Sequence, residues 1–114
     1  MILAGDVGGT KTILGLFSME SGPARPLVET VFQSSGYRSL EEMAGRFLSH
    51  AGKKRPEAAC FGVAGPVKAG RAKATNLPWI LEEKSLSSVL GVPRVHLIND
   101  LEAVATAIPL LPGS

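Results

Sequence analysis

Between two short apolar stretches near the start of the chain lies Gly5-Asp-Val-Gly-Gly-Thr-Lys-Thr12, the segment that most narrows what the chain can become. Counted from Gly5, Lys11 and Thr12 stand at the offsets of a Walker-type phosphate loop, but Thr10 occupies the place of its second glycine. A Walker loop opens a helix, whereas Ile13-Leu-Gly-Leu-Phe17 is β-rich. The Gly-x-Gly-x-x-Gly fingerprint of dinucleotide binders is absent as well. The segment therefore predicts a tight β-hairpin. In it Gly8 and Gly9 let backbone amides approach an anion, Thr10 adds a hydroxyl, and Asp6 is a carboxylate suited to a hydrated Mg²⁺. A ligand-free hairpin would use the same residues, because Gly-Gly is good turn chemistry. The acid before the glycines and the Thr-Lys pair after them favour phosphate.

The periodicity along the chain predicts an order of elements. Ile2–Gly5, Ile13–Phe17 and Leu27–Phe32 read as strands. Leu40, Met43, Ala44, Phe47, Leu48 and Ala51 then recur at helical spacing, with a capping box at Ser39-Leu-Glu-Glu42 and a stop at Gly52. Ala58–Ala64 reads as a strand, and Arg71–Thr75 as its hairpin partner after the Gly65–Gly70 turn. Glu82–Leu90 reads as a helix ending at Gly91, Val95–Ile98 as a strand, and Leu101–Ile108 as a helix closed by Pro109. The expected class is α/β, a mixed sheet with helices on its faces in the order β-β-β-α-β-(β)-α-β-α. Residues 1–110 form one small α/β domain in this reading. Residues 111–114 begin a connection to a C-terminal domain.

Composition excludes several function classes. The 114 residues are 45% apolar, enough for a real core, and carry a net charge of only +2. Nucleic-acid binders concentrate far more positive charge, and aromatics at 5% are too few for base-stacking platforms. The single cysteine, Cys60, rules out an internal disulfide and a cysteine-rich metal site. No apolar run approaches the roughly 18 residues of a membrane span, and the N-terminus lacks the basic segment of a signal peptide. The expectation is a cytoplasmic protein without nucleic-acid or membrane partners. Lys53-Lys-Arg55 reads as a solvated loop, Cys60 as inert core, and neither His50 nor His96 has a second ligand at metal spacing.

Asn99 and Asp100 stand where a strand meets a helix. Ligands collect at the carboxyl ends of strands in α/β sheets, and Asn and Asp are also good helix caps. Ala64-Gly65-Pro66 follows a strand as a tight loop, and Asn76 precedes Leu77-Pro-Trp79, whose indole suits packing better than sugar stacking.

Asp6-Val-Gly-Gly-Thr-Lys11 resembles the first phosphate motif of sugar kinases in the actin-like ATPase superfamily, whose repeated domain has a similar order of elements. Gly62-Val-Ala-Gly-Pro-Val67 with Thr75-Asn-Leu-Pro-Trp79, and Ile98-Asn-Asp-Leu-Glu-Ala-Val104, resemble the bacterial glucokinase family. The likeness runs from Ile2 to about Pro112. Lys11 departs from the Asn of many bacterial glucokinases toward a neighbouring family of repressors and kinases. Asn99-Asp-Leu-Glu102 departs from that neighbour's Asn-Asp-Ala-Asn and favours glucokinase.

The resemblance implies ATP-dependent phosphorylation of glucose at the 6-hydroxyl, with ATP and Mg²⁺ as cofactors and the hexose as partner. It implies phosphate contacts from Gly5, Asp6, Val7, Gly8, Gly9, Thr10 and Lys11, with Mg²⁺ at Asp6 directly or through water. It implies sugar contacts from Gly65, Pro66, Asn76, Asn99 and Asp100, with Asp100 as the catalytic base. A C-terminal domain would supply the rest of the site, and a homodimer stays open. So do a related kinase acting on another hexose, a non-catalytic sugar sensor, and ADP or polyphosphate as donor.

Overall fold

A computed structural model describes residues 1–17, 26–52, 56–74 and 77–99. Its elements are β1 (Ile2–Val7), β2 (Lys11–Phe17), β3 (Pro26–Gln33), a 3₁₀ turn (Ser34–Gly36), α1 (Leu40–Ala51), β4 (Ala58–Val63), β5 (Arg71–Lys73), β6 (Ile80–Glu82), α2 (Glu83–Leu90) and β7 (Arg94–Asn99). Five strands form one mixed sheet in the order β3-β2-β1-β4-β7, and β5 and β6 pair separately. Antiparallel pairing joins β1 to β2 and β2 to β3, while β1, β4 and β7 run parallel. The expected α/β class with a mixed sheet is what the chain forms.

Side chains alternate across a strand, so register partners share a face. One face gathers Leu3 and Val7 of β1, Leu14 and Leu16 of β2, Ala59, Phe61 and Val63 of β4, and Val95 and Leu97 of β7. These residues form one core with Leu40, Met43, Ala44 and Phe47 of α1 and Leu86 and Leu90 of α2. Trp79 joins that core at 2% exposure and donates its Nε1–H to the Tyr37 carbonyl, so it packs rather than faces a cleft. Gly5 lies in the middle of β1 on the core face. A Cβ there would come within 2.6 Å of the Phe61 ring, so the packing of β1 against β4 itself demands glycine.

The caps of α1 follow the sequence. Ser39 Oγ accepts from the Glu42 N–H at 3.1 Å, and Gly52 ends the helix at φ 63°. The reciprocal contact of the capping box falls one residue early, from the Arg38 N–H to Glu42 Oε1.

One pairing differs from expectation. Arg71–Lys73 does not pair with β4; it pairs antiparallel with Ile80–Glu82, Arg71 opposite Glu82. The reason is that β4 has no free edge, since β1 occupies one side and β7 the other. Strand β6 also takes Glu82 from the expected helix, which begins at Glu83. Thr75, the expected helix at Leu101–Ile108 and the Lys53–Arg55 loop lie outside the described residues.

Candidate functional site

The parallel register decides where the candidate residues meet. Val7 pairs with Val63, and Val63 with Asn99, so β1, β4 and β7 end level with one another. Three segments therefore emerge side by side at the carboxyl edge of the sheet: the Gly8–Thr10 turn, the Ala64–Pro66 loop, and Asn99 itself. This is the edge at which α/β sheets collect ligands.

The glycine segment is a hairpin, as its composition predicts. β1 runs through Asp6 and Val7, β2 begins at Lys11, and the Gly8 N–H donates to the Lys11 carbonyl at 3.1 Å. A Cβ on Gly8 would stand 2.6 Å from that carbonyl oxygen, so close approach requires glycine there before any ligand is considered. Gly9 is half-exposed, and Thr10 and Lys11 are exposed at the turn. Asp6 is also exposed, on the sheet face opposite the core and in register with Ile13 and Gly62. Val7 is buried, so only its backbone remains for a ligand.

The turn is held from below by a residue that no local sequence motif marks. Ser34, in the 3₁₀ turn after β3, is fully buried. Its Oγ donates to the Gly8 carbonyl at 2.6 Å, and its N–H donates to the Thr10 carbonyl at 3.0 Å. Thr12, the other fully buried polar residue among the described residues, lies 2.8 Å away, Oγ1 to Ser34 Oγ. Ser34 spends its single hydroxyl proton on a carbonyl, which can only accept, so Thr12 must donate to Ser34. No local pattern links positions so far apart in the chain. The polar run Gln33-Ser-Ser-Gly36 was the available signal, and it reads equally well as an ordinary loop.

On the opposite side of the edge, Asn99 donates through Nδ2 to the Gly65 carbonyl at 2.6 Å. Gly65 is half-buried and Pro66 exposed, so the loop lies open above the strand ends. Asn76 and Asp100 lie outside the described residues. Gly5 stands apart from the edge, three residues below the turn.

Among the described residues no three His, Cys, Asp or Glu side chains converge on a metal-sized site. Mg²⁺ keeps most of its waters and is often held by one or two carboxylates with substrate phosphates. An exposed Asp6 beside the turn fits that donor set. Cys60 is half-buried, and burial first, then the charge of Glu83, push its thiol up from the ordinary value, which makes it a poor nucleophile. No described helix is long and apolar enough to cross a membrane.

Comparison with known proteins agrees with the geometry. A family model described as glucokinase matches residues 3–114. A glucokinase of Nostoc punctiforme is 40% identical over 109 residues, covering 95% of this chain and 32% of the relative. A glucokinase of another Nostoc species is 43% identical over 110 residues, with the same coverage of both. The chain thus spans about a third of the length of the curated relatives it matches. Among solved structures, a glucokinase from an Antarctic psychrotroph superposes with a TM-score of 0.81 at 31% identity, over 95% of this chain and 34% of that one. A ROK family protein of Streptococcus pneumoniae, solved with sucrose, superposes with a TM-score of 0.68 at 18% identity, over 93% and 36%, a likeness of fold alone. With the model match running nearly end to end and the three strand ends bearing the expected motifs, the chain belongs to the glucokinase family.

Proposed function

We propose that the full-length protein transfers the γ-phosphoryl group of ATP to the 6-hydroxyl of glucose in the cytoplasm. In this reading residues 1–110 are its small N-terminal domain, and residues 111–114 lead into a C-terminal domain. The observation that carries the proposal is the shared register of Val7, Val63 and Asn99, which sets a phosphate-suited turn beside a sugar-suited loop.

Phosphoryl transfer needs alignment and charge neutralisation more than covalent help. The Gly8–Thr10 turn contributes backbone N–H groups and the Thr10 hydroxyl toward phosphate oxygens, and Lys11 contributes a cation. Gly5 and Val7 act through the backbone path of β1. Asp6 holds hydrated Mg²⁺, which when bound neutralises phosphate charge. Asn99 hydrogen-bonds a sugar hydroxyl, with Gly65, Pro66 and Asn76 lining the same cleft. Asp100, next in the chain, accepts the proton of the attacking hydroxyl. Closure of the two domains keeps water from competing as acceptor.

The test is a coupled assay for glucose 6-phosphate on the full-length protein and its Asp100→Asn variant. General-base assistance contributes about 10² to 10⁴ in rate, so the variant should lose at least roughly a hundredfold in kcat. Its melting temperature should hardly move, because the replacement is isosteric. Retention of kcat within a few fold would remove Asp100 from the mechanism.

A further inference from the structure

We infer that Ser34 is a positioning residue for the nucleotide, setting which way the Gly8–Gly9 peptide faces. The inference rests on the kinase reading above and adds to it a residue from a different part of the chain.

A trans peptide is planar, and its C=O and N–H point in opposite directions. The described chain has no cis peptide. The Gly8 carbonyl and the Gly9 N–H belong to one such unit. With the carbonyl drawn down onto Ser34 Oγ, the Gly9 N–H is turned to the far side, away from Ser34. Among the described residues no group accepts from it. It is a donor held outward on a half-exposed turn at the carboxyl edge of the sheet.

A peptide flanked by two glycines is among the easiest to flip, because neither Cα carries a side chain that resists the rotation. A flip would turn the Gly8 carbonyl oxygen outward, and a phosphate oxygen would then meet an acceptor in place of a donor. The chemistry that suits the turn to an anion also leaves its orientation undetermined by local sterics. Ser34 supplies the missing constraint with two bonds, its Oγ to Gly8 and its N–H to Thr10. Thr12 completes the burial by donating to Ser34, so the hydroxyl proton of Ser34 has no competing acceptor at that side. Of the two hydroxyls, only that of Ser34 touches the turn.

This separates Ser34 from Thr12 experimentally, although both are fully buried: Ser34→Ala removes the bond to Gly8 and the one from Thr12, whereas Thr12→Val removes only the second. In the full-length enzyme, Ser34→Ala should raise the KM for ATP about tenfold, the worth of one lost hydrogen bond, and leave the KM for glucose within about twofold. Thr12→Val, which keeps the Ser34–Gly8 bond, should leave the KM for ATP within about twofold. Equal effects of the two variants on ATP, or an equal rise for ATP and glucose, would overturn the inference, because burial alone predicts them. Absence of ATP-dependent turnover in the unaltered protein would instead refute the kinase reading. A second measurement, on the unaltered protein, reads whether the Gly9 N–H meets the nucleotide. Amide hydrogen exchange at Gly9 in the unaltered protein should be fast alone and slow at least about tenfold on adding ADP with Mg²⁺. In a protein that turns over ATP, exchange at Gly9 that ADP leaves unchanged would overturn the inference.

Discussion

Asn99 Nδ2 lies 2.6 Å from the carbonyl oxygen of Gly65, so the last residue of β7 holds the loop that follows β4. The bond crosses between neighbouring parallel strands at the point where both stop pairing. It gives Asn99 two tasks in the proposed enzyme: to offer its amide to a sugar and to keep the loop's backbone in place. A carboxylate cannot do the second, since it has no N–H to donate.

Substitution at Asn99 should therefore act mainly on the sugar. Asn99→Asp, nearly isosteric, sets an acceptor against the Gly65 carbonyl and should raise the KM for glucose by about tenfold or more, the equivalent of at least one hydrogen bond. The KM for ATP should change by less. Steady-state kinetics of the full-length protein against each substrate reads the difference. A larger effect on ATP than on glucose would contradict the assignment.

Glu83 should prove a stability residue rather than a site residue. Its Oε2 accepts from the Leu97 N–H at 2.8 Å on the outer edge of β7, while its own N–H donates to the Gly70 carbonyl at 2.9 Å. It also stands in the first turn of α2, where a negative charge favours the helix dipole. Glu83→Ala leaves the Leu97 N–H without its acceptor and should cost about 1–3 kcal/mol. Glu83→Gln keeps an acceptor and should cost less, about 0.3–1 kcal/mol for the lost charge. Thermal unfolding of the two variants checks the order.

The β5–β6 arm carries a local strain that can be relieved. Ala69 adopts φ 52° and Gly70 φ 73°, and Lys68 and Arg71 exchange two backbone hydrogen bonds of 2.9 Å around them. Two successive positive φ values make a two-residue hairpin of the I′ kind, for which Asn-Gly is the favoured pair. Ala69→Asn should stabilise the protein by about 0.5–1 kcal/mol, part of the penalty that Cβ imposes in the left-handed region. Denaturant or thermal unfolding measures it, and a loss of stability would show that the turn is not strained at Ala69.

Cys60 gives the pH dependence. Burial, and then the charge of Glu83, raise its thiol in the folded protein. The unfolded chain therefore gives up this proton first as pH rises, so the folded state is progressively disfavoured above the ordinary thiol value. Cys60→Ala should lessen the alkaline loss of stability. Iodoacetamide should label Cys60 of the folded protein at pH 8 more slowly than free cysteine, because the thiolate is the reacting form. Labelling as fast as free cysteine would contradict the shift.

Much of the architecture is written in local pattern. The 3.6-residue recurrence from Leu40 to Ala51 predicts α1, with Ser39 and Gly52 as its ends, because caps and stripes are set by residues within a few positions of one another. The Gly8–Thr10 hairpin is legible for the same reason, and so are the cores of β1, β2, β4 and β7. The family motifs at Asp6–Lys11, Gly62–Val67 and Ile98–Val104 are equally local. Tertiary structure decided what depends on neighbours distant in sequence. β5 turns to β6 because both edges of β4 are already occupied, a fact no window around Arg71 contains. Gly5 answers to the ring of Phe61, more than fifty residues later, and Gly8 to Ser34 across 26 positions. Hydrogen bonds and packing contacts act over a few ångströms of space with no regard for chain separation. The sequence by itself therefore names the residues of the candidate site, and only the parallel register of β1, β4 and β7 brings its turn, its loop and Asn99 to one edge.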